Sequence, residues 1–396
     1  MSGRHFLFVP GPTNVPERAQ RAMVRSMEDH RSSAFPELTR GILRDLPPLF
    51  GTRHGEGRPF VFPGTGTGGW EIALTNCLSP GDRVLAVRNG QFSHLFTQAA
   101  SNLGLQVQTI DVEWGEAVPA DQVEAALRRA EGPSVRAVLV VHNETATGVT
   151  SDVGAVRAAM DAAGSDALLF VDGVSSIGSI EFRMDDWGVD VAVCGTQKGL
   201  MLPAGLAVIA VSRKALAAVE SAKSPRSVFD LRPMMAQNDD GYFPYTPPLS
   251  LLFGLREVLD MFAEEGLERV FERHARLAQG VRAAVGAWGL TLCARDPKVY
   301  SNTLSAVVVP EEHDARKVID IAFRRWNLSL GGGLARLAGR VFRIGHMGHV
   351  NELMLIGALG GAELALADAG VPIEAGSGVA AAEAVWRKAA PAEHSG

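Results

Sequence analysis

Nearly continuous aliphatic runs alternate with longer mixed stretches through the first half of the chain. Residues 135–141 and 168–171 are such runs, and each is bounded by turn residues, which is typical of buried strands. The stretch 153–163 between them predicts a helix. Strands that alternate with helices predict right-handed crossovers and a largely parallel sheet covered on both faces. The pattern therefore predicts an α/β fold.

The pattern changes after this alternation. The apolar run 206–211 follows Lys198 closely, and so short a connection favours an antiparallel strand at the edge of the sheet. Residues 224–250 are rich in proline and polar residues and predict a long loop. A long helix is predicted next, over 251–287, before strands and helices alternate once more.

Four parts of the chain follow from these features. Residues 5–16 hold three prolines and predict an extended arm that could cross a partner subunit or cover a site. Gly266 interrupts the long helix and suggests a domain boundary, and the Ala-rich stretch after Gly370 predicts a featureless tail. We therefore predict an N-terminal arm (1–20), a large domain (21–265), a smaller C-terminal α+β domain (266–370) and a tail (371–396).

The composition of the 396 residues excludes several classes of protein. A net charge of −6 leaves no basic surface for nucleic acid. Three cysteines, Cys77, Cys194 and Cys293, lie far apart and form no disulfide framework, so a reducing, cytoplasmic location is expected. No signal peptide is recognised, and no apolar run approaches the ~18 residues of a membrane span. We therefore expect neither a nucleic-acid nor a membrane partner.

Two charged residues stand at the ends of neighbouring predicted strands. Asp172 ends the run 168–171, and Lys198 follows the run 189–194 within the sequence GTQKG. Because strand ends of an α/β sheet open into the ligand crevice, the carboxylate and the amine are expected in one cleft. A lysine amine can form a Schiff base with the aldehyde of pyridoxal 5'-phosphate (PLP), and a carboxylate can keep its pyridine nitrogen protonated. An isolated Asp and Lys would more often be ordinary surface residues.

A glycine-rich segment, PGTGTGG at 63–69, lies between a predicted strand (59–62) and a predicted helix (70–78). Glycines and a helix N-terminus together predict a phosphate cradle. The same letters match the dinucleotide pattern GxGxxG, which wants an acidic residue after the next strand. That strand ends instead at Arg88, which could suit a 2′-phosphate. An NADP-binding oxidoreductase therefore remains an alternative.

Three further features carry possible chemistry. Arg343 lies inside an apolar predicted strand, where a guanidinium needs an anionic partner. Arg31 follows a polar turn and is a candidate for carboxylate binding. His346 and His349 form an HxxH pair, but no cysteine or acidic residue stands at ligand spacing, so a metal site is not expected.

Several motifs taken together resemble a known family. They are PGPTNVPE, GTGTGGWE, the turn Asn89-Gly90, HNETATG, the strand end at Asp172, GTQKG, YFPYTPP and FRIGHMG. The chain resembles the class-V aminotransferases of fold type I, in the serine–glyoxylate and alanine–glyoxylate group, over roughly residues 5–370. The resemblance implies a mostly parallel seven-stranded sheet, PLP as cofactor, and a homodimer with active sites at the subunit interface.

The resemblance also implies roles for individual residues. Lys198 resembles the Schiff-base lysine that shuttles the proton, and Asp172 the partner of the pyridinium nitrogen. The phosphate cradle is implied for Thr65, Gly66, Thr67 and Gln197, ring contacts for Phe92, Thr145 and Val174, phosphate contacts from a second subunit for Tyr245 and Thr246, and substrate binding for Arg343, His30 and Arg31.

The implied reaction moves an amino group from a small L-amino acid to glyoxylate, giving glycine, by a ping-pong mechanism. Serine is the donor that the resemblance favours. Aspartate is the main alternative because Arg31 could pair with its distal carboxylate, and alanine is the third candidate. His30 stands where plant relatives have tyrosine, which leaves the identity of the donor open.

Overall fold

Two β-sheets, each with its own helices, form the framework of the chain. The computed structural model describes residues 4–53, 55–129, 132 and 134–388. The strands are β1 (Phe6–Phe8), β2 (Gly57–Gly64), β3 (Arg83–Arg88), β4 (Gln106–Asp111), β5 (Val135–Val141), β6 (Asn143–Glu144), β7 (Val149–Thr150), β8 (Leu168–Asp172), β9 (Val191–Gly195), β10 (Gly205–Ser212), β11 (Thr291–Leu292), β12 (Leu304–Val308), β13 (Leu328–Gly332) and β14 (Val341–Gly345). The helices are α1 (Glu17–Met23), α2 (Phe35–Asp45), α3 (Gly66–Cys77), α4 (Gln91–Asn102), α5 (Ala120–Arg128), α6 (Val153–Ala162), α7 (Arg213–Ser221), α8 (Leu231–Asp239), α9 (Leu249–Glu265), α10 (Leu267–Ala287), α11 (Ala315–Trp326), α12 (Glu352–Ala369) and α13 (Ser377–Lys388).

The first sheet has seven strands in the order β2-β10-β9-β8-β5-β3-β4. Strands β9, β8, β5, β3 and β4 are parallel, which confirms the predicted mostly parallel seven-stranded α/β sheet. Strand β10 is antiparallel to both of its neighbours. The prediction that β10 lies at the edge of the sheet is wrong, because β2 pairs with β10 along the whole length of β10 and is itself the edge strand. All six residues of 206–211 are fully buried, as expected of an interior strand.

The carboxyl ends of β2, β5, β8 and β9 meet at one edge of this sheet. Asp172 is the last residue of β8, and Gly195 ends β9 three residues before Lys198. Strand β2 runs parallel to β9 because both are antiparallel to β10, so its exit into α3 lies at the same edge. Functional sites of open α/β sheets form at this edge.

Two local predictions for this part of the chain need correction. Helix α3 begins at Gly66 rather than at residue 70, so the second half of the glycine-rich segment is already the first helical turn. The predicted loop 224–250 contains α8. Asp230 caps this helix by accepting a hydrogen bond from the backbone N–H of Arg232, and Leu231 is fully buried at its start. Capping and burial therefore outweigh the loop-like composition.

The second sheet has the order β1-β13-β14-β12-β11. The predicted extended arm supplies β1, which pairs in parallel with β13. The aromatic side chain of Phe8 lies in the core of this sheet, together with Phe342 and Leu355. The break between α9 and α10 falls at Gly266, where φ is +81°. The domain boundaries themselves stay predictions.

The predicted featureless tail is wrong for residues 377–388, which form α13. Trp386 is buried there and donates its indole N–H to the carbonyl of Arg276 on α10 at 3.0 Å. An Ala-rich segment has high helix propensity, and one large buried anchor orients it. Residues 1–3 of the predicted arm and 389–396 of the predicted tail lie outside the described residues. In the part of the chain that is described, none of the helices has the length and apolarity to cross a membrane.

Candidate active site

A cavity of about 300 Å³ opens at the carboxyl edge of the seven-stranded sheet. Eight of the predicted site residues line it: Gly66, Thr67, Phe92, Thr145, Asp172, Val174, Gln197 and Lys198. The prediction that Asp172 and Lys198 share one cleft is confirmed. Their separate positions in the chain meet here because β8 and β9 are adjacent parallel strands.

Lys198 lies in the turn after β9 and is only 9% exposed. Its Nζ donates a hydrogen bond to the carbonyl of Pro10 in the N-terminal arm. The hydroxyl of Thr13 donates to the Lys198 carbonyl at 3.0 Å. Gly11 packs so closely that a Cβ there would overlap the lysine side chain. Burial lowers the pKa of Lys198 to about 8, and the charge of Arg343 lowers it in the same direction.

Asp172 is 4% exposed and has a donor on each carboxylate oxygen. The backbone N–H of Val174 donates to Oδ1 at 2.8 Å, and the indole N–H of Trp70 donates to Oδ2 at 3.2 Å. Burial raises the pKa of Asp172 to about 7. The Val174 and Trp70 hydrogen bonds and the charge of Lys198 oppose this rise, whereas the buried carboxylate of Glu144 adds to it.

The N-terminus of α3 forms a second wall of the cavity. Its N-cap residue, Thr65, is half-buried, and its side chain makes no capping hydrogen bond. The N–H groups of the first turn therefore have no acceptor within the helix. Gly66 is packed so tightly against Val174 that a Cβ there would overlap its side chain. The amide oxygen of Gln197 is buried without a hydrogen-bond partner among the described residues.

A third wall is formed by hydrogen-bonded hydroxyl and amide groups. Thr145 donates from Oγ1 to Ser175 Oγ at 2.9 Å, and Asn143 donates from Nδ2 to the same oxygen at 2.8 Å. Ser175 donates in turn to the carbonyl of Asn143 at 2.7 Å. Because both donors and acceptors are satisfied within the group, this wall is held in one arrangement. Phe92 also lines the cavity. It lies in the first turn of α4, where its backbone N–H donates to the carboxylate of Glu144.

Arg343 is buried in β14 and 7% exposed. Its Nε donates to the carbonyl of Gly332 at 2.8 Å and its Nη1 to the carbonyl of Thr145 at 2.9 Å. Burial lowers the pKa of Arg343 to about 10, although the charge of Glu144 raises it. Among the described residues Arg343 forms no ion pair with a carboxylate. The anionic partner that its position demands is therefore not supplied by the described part of the chain.

Six predicted site residues are not part of the cavity lining. Two of them, Thr65 at the start of α3 and Arg343 in β14, are described above, and the other four lie further away in the fold. His30 and Thr246 stand together, with Nε2 and Oγ1 3.5 Å apart. Arg31 is exposed, and its backbone N–H donates to Asp29. Tyr245 packs against the side of the sheet, and its hydroxyl is buried without a hydrogen-bond partner among the described residues.

Sequence reasoning missed three kinds of residue at this site. Trp70 reads as a core residue of an apolar helix, and no local signal marks its indole N–H as a partner of Asp172. Asn143 and Ser175 are common polar residues just after strands, and only their position at strand ends could have singled them out. The arm residues Gly11 and Pro12 line the cavity, so of the two roles that the sequence left open for the arm, crossing a partner subunit or covering a site, the arm has the second.

The residues considered for NADP binding and for metal binding have other partners in the fold. Arg88, the candidate for a 2′-phosphate, is paired through two hydrogen bonds with Asp111 at 2.6 and 2.7 Å. His346 is fully buried, and its ring nitrogens contact Ser305 and the carbonyl of Asn302. Within the described ranges, no group of three or more His, Cys, Asp or Glu side chains could hold a metal ion.

Comparison with known proteins agrees with this geometry. The family model described as aminotransferase class-V matches residues 57–325. The serine–glyoxylate aminotransferase of Methylorubrum extorquens is 55% identical over 391 residues, which cover 98% of this chain and 97% of that protein. The L-aspartate–glyoxylate aminotransferase of Paracoccus denitrificans is 50% identical over 388 residues, 98% of each chain. The solved structure of ureidoglycine–glyoxylate aminotransferase from Bacillus subtilis matches with a TM-score of 0.88 at 28% identity, over 98% of this chain and 99% of that one.

Proposed function

This chain belongs to the class-V aminotransferase family, and on that premise we propose that it transfers the amino group of a small L-amino acid, serine first, to glyoxylate. The observation that carries the proposal is the single cavity that holds Lys198 and Asp172 together. Amino-group transfer on PLP requires a buried amine and a buried carboxylate close together, and here they lie at the carboxyl ends of adjacent strands. The family membership argues against the oxidoreductase alternative.

PLP is the cofactor of this family, and the residues of the cavity fit it. The N–H groups at the start of α3, which no side chain caps among the described residues, and the close packing at Gly66 suit a phosphate group. The buried amide of Gln197, whose oxygen lacks a partner among the described residues, lies beside this wall. The hydroxyls of Thr65 and Thr67 would add donors. A volume of about 300 Å³ is at the small end for ligand sites, which suits a cofactor of this size with a small substrate.

When bound, PLP supplies an aldehyde that accepts the amino group and a protonated ring that withdraws electrons. Asp172 would hold the ring nitrogen through an ionised carboxylate, and the contacts around it keep that carboxylate oriented. Lys198 would anchor the cofactor and, once released, would take a proton from the substrate Cα and deliver it to the cofactor carbon that had carried the aldehyde. Its lowered pKa of about 8 makes the neutral amine accessible near neutral pH, as a general base needs.

Other walls of the cavity support binding and orientation. Phe92 and Val174 would contact the ring of the cofactor. Thr145 would bind its phenolate oxygen by turning its hydroxyl proton away from Ser175 Oγ, to which it donates in this structure. Arg343 binds the substrate α-carboxylate, because a planar guanidinium can bind a carboxylate through two parallel hydrogen bonds. The lack of a carboxylate partner for Arg343 among the described residues supports this role.

We further propose that two copies of the chain form a homodimer that completes each site. Thr246 of one subunit would then reach the phosphate of the other, and His30 and Arg31 would flank the substrate entrance. Tyr245 would join Thr246 only if its hydroxyl, which is buried in its own chain, turned outward on assembly. The position of these residues outside the cavity of their own chain supports this arrangement. A cytoplasmic location is supported by the three cysteines, which are all free.

Reduction with borohydride tests the cofactor and its anchor. The purified protein is expected to be yellow, and borohydride should fix the cofactor to the peptide that contains Lys198. Lys198→Ala should abolish this labelling. Lys214→Ala is the matched control because Lys214 is half-exposed beside Asp190, away from the cavity, and it should label as the wild type does. Labelling of any other lysine would contradict the proposal.

A donor screen with glyoxylate as acceptor tests the substrate. Serine, aspartate, alanine and glutamate are compared by the glycine formed, and serine is expected to give the highest kcat/KM. Aspartate is the second candidate, supported by the aspartate–glyoxylate relative. If aspartate is the donor, Arg31→Ala should weaken aspartate far more than serine, and equal losses for both would remove that role of Arg31.

A further inference from the structure

Trp70 connects two parts of the cavity that bind opposite ends of a cofactor. It lies four residues after Gly66 on α3, and residues at this spacing share one face of a helix. The first turn of α3 therefore forms the wall proposed to bind the phosphate, and the indole of Trp70, one turn later, reaches Asp172. A single rigid helix fixes both contacts relative to each other.

The indole ring of Trp70 is itself held in place. It is 3% exposed and stacks on Phe96 of α4, with ring centroids 5.3 Å apart and planes inclined by 23°. Its Nε1–H, the only polar group of the side chain, donates to Asp172 Oδ2 at 3.2 Å. The backbone N–H of Val174 donates to Oδ1 at 2.8 Å. Both oxygens of the carboxylate therefore accept a hydrogen bond, and together these bonds fix the orientation of its plane.

We propose that Trp70 is a positioning residue that orients the Asp172 carboxylate and keeps it ionised, and so sets how tightly the site binds PLP. This inference rests on the proposed function, in which Asp172 meets the ring nitrogen of PLP. It assigns to the indole N–H a task distinct from core packing. A phenylalanine would fill most of the same space but would leave Oδ2 without its side-chain donor.

The groups that face Asp172 from the surrounding elements decide its charge state. Glu144 of β6 favours the protonated form, and Lys198 after β9 favours the ionised form. The Cys194 thiol of β9 stays neutral, because burial raises its pKa. Against the dominant effect of burial, hydrogen-bond donors are the main support for the ionised carboxylate. Loss of the indole N–H is therefore expected to shift the titration of Asp172 to higher pH.

The test measures PLP binding to full-length apoprotein between pH 5.5 and 9. Trp70→Phe should bind PLP about tenfold more weakly at pH 7, the loss typical for a hydrogen bond to a charged group. The deficit should narrow at high pH, where Asp172 ionises even without the indole. In an Asp172→Asn background, Trp70→Phe should have no further effect, because a positioning residue acts only through its target.

Trp288→Phe is the matched control. Trp288 is 2% exposed and donates its indole N–H to the carboxylate of Glu363 at 2.9 Å, in the core of the second sheet. Its substitution removes the same type of contact and should leave PLP affinity and its pH dependence unchanged. A Trp70→Phe protein that binds PLP like the wild type at every pH would overturn the proposal. The proposal would also be overturned if Trp70→Phe lowered PLP affinity equally at all pH values and did so in the Asp172→Asn background too. That result would mean that the indole ring acts by packing and not through Asp172.

A second measurement needs neither the variant Trp70→Phe nor bound cofactor. In wild-type apoprotein labelled with ¹⁵N-tryptophan, the indole signal that changes on Asp172→Asn should move with pH as Asp172 titrates. A signal that stays fixed from pH 5 to 9 would overturn the contact even if Trp70→Phe fails to fold. Wild-type protein that does not bind PLP, but shows this titration, would instead contradict the proposed function and leave the Trp70–Asp172 contact standing.

Discussion

Replacing Arg343 with methionine should separate stability from activity. Burial lowers the pKa of Arg343 from its ordinary value to about 10. Both the ordinary and the lowered pKa lie well above neutral pH, so the whole penalty applies at pH 7. Converted at 1.36 kcal/mol per pKa unit, holding this charge in the folded apoprotein costs about 3 kcal/mol. Arg343→Met removes that cost.

The same substitution also removes two hydrogen bonds. The carbonyls of Gly332 and Thr145 lose their charged donor, at about 1.5 kcal/mol each. The gain and the loss nearly cancel, so the free energy of unfolding of the apoprotein should change by no more than about 1 kcal/mol. For the donor substrate, however, the loss of a buried charged partner should lower kcat/KM at least about thirtyfold, mainly through KM.

Urea unfolding of the apoprotein and steady-state transamination measure the two effects. Arg282→Met is the control, because Arg282 is also largely buried and donates to the carbonyl of Ser301 at 3.1 Å, away from the cavity. It should alter stability without altering KM. Unchanged kcat/KM in Arg343→Met would refute carboxylate binding by Arg343. A loss well above the expected limit of about 1 kcal/mol in the free energy of unfolding would refute the estimated balance and mark Arg343 as a structural residue.

Two further substitutions test the cavity. Asp172→Asn should raise the thermal midpoint of the apoprotein by several degrees at pH 7 to 8. The reason is that burial in the folded protein raises the pKa of Asp172 from 3.8 to about 7. The wild-type apoprotein therefore loses stability as pH rises between these two values and stays less stable above them. A difference in thermal midpoint between Asp172→Asn and the wild type that does not change from pH 4 to 8 would contradict this reasoning. Gly66→Ala should weaken PLP binding at least tenfold, since its Cβ would overlap the Val174 side chain, and relieving that overlap must move either Val174 or the first turn of α3, both of which line the cavity. The control Gly68→Ala has open space, and equal affinities of the two variants would argue against the cradle.

The sequence alone determined the features that depend on neighbouring residues. Buried strands were recognisable because each is a short aliphatic run between turns, and the predicted bounds of β5 (Val135–Val141) agree with the structure. Asp172 and Lys198 could be placed in one cleft because the ends of adjacent parallel strands must meet. The family motifs supplied the cofactor and reaction class. Apart from what the family resemblance implied, these inferences need only periodicity, turn chemistry and one rule of topology.

Only the tertiary structure decided the contacts between distant residues. Phe6 pairs with Leu328 across nearly the whole chain, and the arm then lies against Lys198, which no local pattern encodes. The indole of Trp70 reads as core because hydrophobic periodicity cannot show where one N–H points, yet in the fold it meets Asp172, 102 positions away. The charge states of Asp172 and Lys198 were also decided by the tertiary structure and not by the sequence. An aspartate and a lysine have ordinary pKa values in sequence, and it is burial within the folded cavity that moves both toward neutrality.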